Sequence, residues 1–168
     1  MKFAYADPPY LGCGARHYRE HAQAAYYDAP SSHRELVRVL VFDYPDGWAL
    51  SCHTPSLGTM LEFCDQWQVD IRIAAWVKPF ASFKPGVNPG YCWEPVIFCG
   101  GRKRARSEPT IRDFLSCNIT LKKGTHGAKP DGFNDWILDL LNVQPGDRLD
   151  DLFPGSGGMA KALERRGI

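Results

Sequence analysis

Apolar positions along this chain fall into short blocks whose spacing alternates between that of a strand and that of a helix. Phe3-Ala4-Tyr5-Ala6 and Trp48-Ala49-Leu50-Ser51-Cys52 are short apolar runs bounded by polar or turn-forming residues, the pattern of buried strands, and Ile71 to Val77 reads as the next strand. Between the first two, Ser32 to Val41 carries Leu36, Val37, Leu40 and Val41 on one stripe. Ser31 or Ser32 offers a cap and Glu35 follows three residues after Ser32, so a helix is predicted there. Leu57 to Trp67 reads as the helix that returns the chain after the second strand. Phe133 to Leu141 is amphipathic, with Phe133, Trp136, Ile137, Leu140 and Leu141 on one side, and Pro145-Gly146-Asp147 breaks it. A strand ending in acidic residues over Leu149 to Leu152, a glycine turn and a helical pattern from Met159 to Arg166 close the chain. Strands alternating with helices predict an α/β fold, a sheet flanked by helices.

Composition narrows the classes. The 168 residues are one domain's worth, enough to bury roughly 70% of the unfolded surface. A hydrophobic share of 44% and an aromatic share of 12% suit a packed core. No apolar run approaches the ~20 residues that span a bilayer, so no membrane role is expected. The N-terminus enters a strand without the basic, apolar and small-residue segments of a secretion signal, and a cytoplasmic location is the expectation. The six cysteines form no C-x-x-C pair and read as reduced packing residues, while His17 and His21 lack the glutamate of a zinc protease motif. No metal site is expected.

The first candidate chemistry is Asp7-Pro8-Pro9-Tyr10, directly after the Phe3–Ala6 run. Two prolines fix φ near -65° and remove two N–H donors, so the carbonyls of Asp7 and Pro8 stand on a rigid turn without competing backbone donors. Such acceptors suit an amino group. The exocyclic amine of a nucleobase is a poor nucleophile because its lone pair is delocalised into the ring. Hydrogen bonds from both amine hydrogens, to the Asp7 carboxylate and the Pro8 carbonyl, push the nitrogen toward tetrahedral geometry and free that pair. Tyr10 offers an aromatic face for an extruded base. The second candidate is Leu149-Asp150-Asp151-Leu152-Phe153-Pro154-Gly155-Ser156-Gly157-Gly158, laid out as a nucleotide-binding strand, turn and helix. It matches neither the dinucleotide fingerprint nor the phosphate loop.

Together the two motifs resemble the S-adenosylmethionine-dependent amino-methyltransferases, in which D-P-P-[YW] is the catalytic motif and D-x-F-x-G-x-G the cofactor motif. With the catalytic motif first and the cofactor motif last, the order is similar to that of the β class of DNA adenine N6-methyltransferases. Trp76-Val77-Lys78-Pro79 looks like the W-x-K strand end of that family, the segment Tyr91 to Gly101 containing Glu94 looks like its next strand, and Lys129-Pro130-Asp131 looks like the motif before the final helix. Related RNA adenine methyltransferases share the layout. The resemblance implies a single methyltransferase domain over 1–168, with the catalytic motif at 3–10 and the cofactor motif at 129–167. It implies S-adenosylmethionine as cofactor, held by Asp7, Lys129, Asp151, Phe153, Gly155, Ser156 and Gly157, with Lys129 meeting its carboxylate. Asp7, Pro8, Pro9 and Tyr10 would be the catalytic residues, and transfer would be direct. The expected substrate is adenine in DNA; RNA adenine, cytosine N4 and a non-catalytic nucleic-acid-binding role are the alternatives.

Three segments are expected to meet nucleic acid. Residues 11–30 are glycine-hinged and carry Arg16, Tyr18, Arg19, Tyr26 and Tyr27. Residues 79–93 interleave Phe80, Phe83 and Tyr91 with Lys84, which suits either an unstacked strand or a loop anchored by its apolar groups. Residues 101–125 collect positive charge in Arg102, Lys103, Arg104 and Arg106 against only Glu108 and Asp113, within the interval where the family contacts its target. His53 and Thr54, after the second strand, are further cleft candidates. Gly167-Ile168 stand where the family begins its next strand, so a Rossmann-like methyltransferase sheet lacking the ribose-binding acid and the two outer strands is expected. The cofactor strand would then be an exposed edge, for another subunit in a homo- or hetero-oligomer to cover.

Overall fold

The computed structural model describes residues 1–14, 24–80, 85–120 and 127–168. Six strands, β1 (Lys2–Ala6), β2 (Gly47–Ser51), β3 (Ile71–Val77), β4 (Trp93–Gly100), β5 (Phe114–Ser116) and β6 (Arg148–Asp151), form one sheet in the order β5-β3-β4-β2-β1-β6. β4 is antiparallel to β2 and β3, and every other pairing is parallel. The helices are α1 (Ala24–Tyr27), α2 (Pro30–Asp43), α3 (Leu57–Gln66), α4 (Asp131–Leu141) and α5 (Gly158–Arg166). No helix among the described residues is long and apolar enough to cross a membrane.

β1 is buried on both faces, which is why its sequence is a continuous apolar run rather than an alternating one. Phe3 and Tyr5 point into a core built with Phe133, Ile137 and Leu141 of α4 and Met159 and Ala162 of α5. Ala4 and Ala6 point to the opposite core, with Leu36, Val37 and Leu40 of α2 and Met60, Phe63 and Cys64 of α3. The two-residue side-chain period of a strand thus feeds both layers from one segment.

Elements expected from the apolar pattern are present, with shifted ends. α2 starts at Pro30, at a first-turn position where its missing N–H costs nothing. Neither Ser31 nor Ser32 caps it: Ala29 holds the cap position, and the buried Ser32 hydroxyl donates to the Tyr26 carbonyl at 2.5 Å. Glu35 closes no capping box either, since its carboxylate pairs with Arg38. α1, the single turn Thr54–Ser56 and the three-residue β5 are additional; none is long enough to leave a periodic signature. Among the described residues β6 pairs only with β1, so the sheet ends at the expected edge without the two outer strands.

Asp147 locks the end of the sheet where β1 and β6 begin. It accepts from Arg102 at 2.6 and 2.8 Å, from the terminal ammonium of Met1 at 2.8 Å and from the Gln144 amide at 2.9 Å. Burial alone would raise its carboxyl, yet these donors hold it well below the ordinary carboxylate range.

Candidate active site

β1 and β6 run parallel, Tyr5 opposite Asp151, and the Leu152 amide donates to the Tyr5 carbonyl at 2.9 Å. The Asp7-Pro8-Pro9-Tyr10 turn and the Asp151–Gly158 turn therefore leave the sheet side by side, at the carboxyl ends of their strands, where open α/β sheets bind ligands. β2 and β3 end on the same side, and the antiparallel β4 begins there. Lys78 follows β3, Glu94 lies at the start of β4, and His53 follows β2.

These ends assemble a compact charge cluster. Lys129 Nζ lies 3.1 Å from Asp7 Oδ1 and 3.2 Å from Glu94 Oε2, and donates to the Tyr10 hydroxyl oxygen at 2.8 Å. The Tyr10 hydroxyl lies 2.8 Å from Glu94 Oε2 and 3.3 Å from Asp7 Oδ1. Lys78 donates to Glu94 Oε1. Two carboxylates thus face two ammonium groups, and Lys129 Nζ lies 5.2, 5.4 and 5.6 Å from the ring centres of Tyr10, Trp76 and Phe133. The Tyr10 ring stacks on His53 with centroids 5.5 Å apart.

Burial and charge separate the two carboxyls. Burial is the largest influence on Asp7 and raises it; Lys129 opposes, Glu94 adds to the rise, and the net shift is upward. Burial also acts to raise Glu94, but Lys129 and Lys78 together outweigh it and bring that carboxyl down to about 2. Glu94 is therefore the fixed anion and Asp7 the adaptable one. Tyr10 is pushed well above its ordinary value by burial and by Glu94 and Asp7, which keeps its hydroxyl protonated.

The glycine turn offers a different chemistry. Gly155 and Gly157 have φ of +45° and +72°, conformations that L side chains rarely adopt, and a Cβ on Gly157 would meet nothing within 4 Å. The turn is open on that side and leads into the amino end of α5. Ser156 is exposed beside it. Asp151 accepts from the Phe153 amide at 3.2 Å, and burial raises its carboxyl to about 6. Phe153 meets Tyr27 edge to face at 5.1 Å, and with Leu152, Tyr26, Glu35 and Leu36 these residues line a cavity of about 230 Å³.

The structure brings Asp7, Pro8, Pro9, Tyr10 and Lys129 together, with the Asp151–Gly157 turn on the neighbouring strand. Lys129 meets the Asp7 and Glu94 carboxylates rather than standing apart toward the glycine turn. The basic run is elsewhere. β4 carries the chain away from the cluster, so Arg102 emerges at the opposite end of the sheet, bound to Asp147, and Arg104 donates to the Asp139 carbonyl at the end of α4. Lys103 and Arg106 are exposed. Phe80 and Tyr91 are more than half exposed on the site side of β3 and β4. Arg16, His17, Tyr18, Arg19, His21, Phe83 and Lys84 lie outside the described residues. No group of His, Cys, Asp or Glu among the described residues is arranged to hold a metal.

Glu94 is the site residue that motif matching names only as part of a strand pattern. Its signal is a carboxylate one proline ahead of the apolar run Val96-Ile97-Phe98, which demands a charged or hydrogen-bonding partner once buried. His53, a weaker candidate from the strand end, is in ring contact with the cluster.

No protein-family model matches the chain, and no curated protein matches it. Solved structures do. M1.HpyAVI in complex with SAM aligns at a TM-score of 0.65 and 14% identity, covering 98% of this chain and 78% of that one. TTHA0409 of Thermus thermophilus, described as a candidate DNA modification methylase, aligns at 0.58 and 15% identity over 99% of this chain and 76% of its own. Its complex with S-adenosyl-L-methionine aligns at 0.57 and 16% identity. At these identities the likeness establishes a shared fold.

Proposed function

We propose that this chain is an S-adenosylmethionine-dependent methyltransferase acting on the N6 amino group of adenine in DNA. The observation that carries the reading is the parallel pairing of β1 with β6, which brings an Asp-Pro-Pro-Tyr turn and an acidic glycine turn to one end of the sheet. Structural neighbours support it: TTHA0409 is described as a candidate DNA modification methylase, and both it and M1.HpyAVI are solved in complex with S-adenosylmethionine.

The residues present fit such a cofactor. Asp151 supplies an acceptor, the Gly155-Ser156-Gly157 turn permits close approach, and Phe153 borders a cavity with aromatic walls for a purine. When bound, the cofactor supplies an electrophilic methyl group on a sulfonium. The chain's own part is to hold and orient the amine. One amine hydrogen is donated to Asp7 and the other to the Pro8 carbonyl, which localises the nitrogen lone pair, while aligning the two reactants contributes several kcal/mol. Asp7 need not take a proton before attack. The methylated nitrogen is briefly a secondary ammonium, and its proton leaves afterwards to Asp7 or water. Tyr10 borders the base pocket, its hydroxyl held by the cluster and its ring against His53. Arg102 and Arg104 of the basic run are engaged within the protein, and Lys103 and Arg106 beside them follow β4 at the end of the sheet opposite Asp7, so the run is not assigned to contact at the target base.

Incubation with methyl-labelled cofactor and unmethylated DNA or RNA, followed by nucleoside analysis, tests the reading. Label in N6-methyladenine from DNA is the expected result. Label in N4-methylcytosine or in RNA would reassign the target, and absence of label together with no cofactor binding at millimolar concentration would overturn the enzymatic reading.

A further inference from the structure

Two groups reach Asp7 at the same oxygen: Lys129 Nζ forms an ion pair with Oδ1 at 3.1 Å, and the Tyr10 hydroxyl oxygen lies 3.3 Å from it, its single proton directed at the nearer Glu94 Oε2. Among the described residues no donor meets Oδ2. Both groups also meet Glu94, whose Oε2 lies 3.2 Å from Lys129 Nζ and accepts from the Tyr10 hydroxyl at 2.8 Å. Glu94 is in turn anchored from its other oxygen by Lys78. The side chains of Lys129 and Lys78 are only 10% and 11% exposed, so neither ammonium exchanges these contacts freely for water. Glu94 itself sits on a ladder position opposite Trp76, in the rigid part of the sheet.

We propose that Glu94 is a positioning residue for the methyl transfer. Glu94 accepts from Tyr10 and holds Lys129, and through Lys129 it fixes Oδ1 of Asp7 and thereby leaves Oδ2 turned toward the substrate amine. The proposal rests on the methyltransferase reading above and deepens it. Glu94 does not touch the reacting atoms; it fixes the rotamer of the group that does. A carboxylate left to rotate would present its second oxygen to the amine for only part of the time, and misplacement of a reacting partner by an ångström costs about 100-fold. The pair also sets the charge on Asp7. Asp7 faces Lys129 and Tyr10 directly, Tyr5 from its own strand, Asp151 from β6 and Glu94 from β4; Lys78 and His53 reach it only through Glu94 and Tyr10. Removing the Glu94 charge relieves a repulsion on Asp7 and leaves Lys129 to Asp7 alone, so the Asp7 carboxyl becomes more acidic.

The test is Glu94→Gln, which keeps shape and removes the charge, measured with full-length protein, S-adenosylmethionine and an oligonucleotide that the wild type methylates. Turnover should fall about 100-fold, cofactor affinity by calorimetry should stay within about twofold of wild type, and the acid limb of the rate profile should move to lower pH. A purely structural role would lower the melting temperature without moving that limb. Should Glu94→Gln fail to fold, Lys78→Gln reads the same claim: it frees Glu94 without touching Asp7 and should lower turnover about tenfold at unchanged cofactor affinity. Wild-type turnover with an unmoved acid limb in Glu94→Gln, or wild-type turnover in Lys78→Gln, would overturn the proposal. Asp7→Ala run alongside separates the two levels: if it retains turnover the methyltransferase mechanism fails, whereas if it is inactive and Glu94→Gln is not, only the positioning role fails.

Discussion

Asp151 and Asp7 are carboxylates two steps apart on neighbouring strands, and neither is fully compensated. Asp151 receives the Phe153 amide, yet burial still raises it to about 6, and the charge on Asp7 adds to the rise. A folded-state value above the unfolded one means that the associated stability is complete below about pH 4 and is lost as pH rises through about 6. Asp151→Asn should therefore melt at a higher temperature than wild type at pH 7.5, with the difference closing near pH 4, while its affinity for S-adenosylmethionine falls. Thermal melts at the two pH values and a calorimetric titration check this; equal melting temperatures at pH 7.5 would contradict it. A site that gives up stability for an acceptor is what a ligand-binding turn requires. At this scale the sequence is informative about Asp7, Tyr10 and Asp151 because their neighbours are prolines and glycines with strong local meaning. Glu94 is less legible, because nothing local distinguishes a buried glutamate that binds two lysines from one on a solvated strand end.

The glycine turn and the helix after it depend on a close approach to α4. A Cβ on Gly158 would lie 2.7 Å from Asn134 Nδ2, and Asn134 is buried with its amide directed at the Pro130 carbonyl, 3.4 Å away. Gly158→Ala should destabilise the protein by about 1–3 kcal/mol through overpacking. Adding Asn134→Ala should return part of that loss, an interaction that urea denaturation of the single and double variants would measure. Additive effects would mean that the contact is not what limits the turn. The apolar blocks of β1, β2, α2 and α4 are readable from sequence because each carries a complete period of burial. β5 is not: Phe114-Leu115-Ser116 is half exposed, and what makes it a strand is its pairing with β3, a tertiary fact. The start of α2 departs from its sequence signal for a related reason, since the Ser32 hydroxyl is taken up by the Tyr26 carbonyl in a contact that local sequence does not reveal.

Strand direction decides which parts of the molecule face the substrate. Because β4 runs against β2, residues that follow it, including Arg102, lie at the end of the sheet opposite Asp7, and composition alone does not separate this from a basic rim on the cleft. Arg102→Ala should lower stability by releasing Asp147 and Met1, and should leave the salt dependence of DNA affinity unchanged. Lys103 and Arg106 stand beside it at that end, so replacing both should also leave the slope of log affinity against log salt unchanged; a slope reduced by about 2, as loss of two phosphate contacts requires, would contradict this placement. Binding titrations over a salt series distinguish the two cases. The side-by-side exit of the two turns, by contrast, is legible, because prolines after β1 and glycines after β6 mark both strand ends. What unites the molecule is the convergence of Asp7 with the glycine turn at one end of the sheet. The most direct test is a comparison of methyl transfer to DNA by wild type and by Asp7→Ala under saturating labelled cofactor. N6-methyladenine from the wild type and none from a variant that still binds cofactor is the predicted result; undiminished transfer by Asp7→Ala would contradict it.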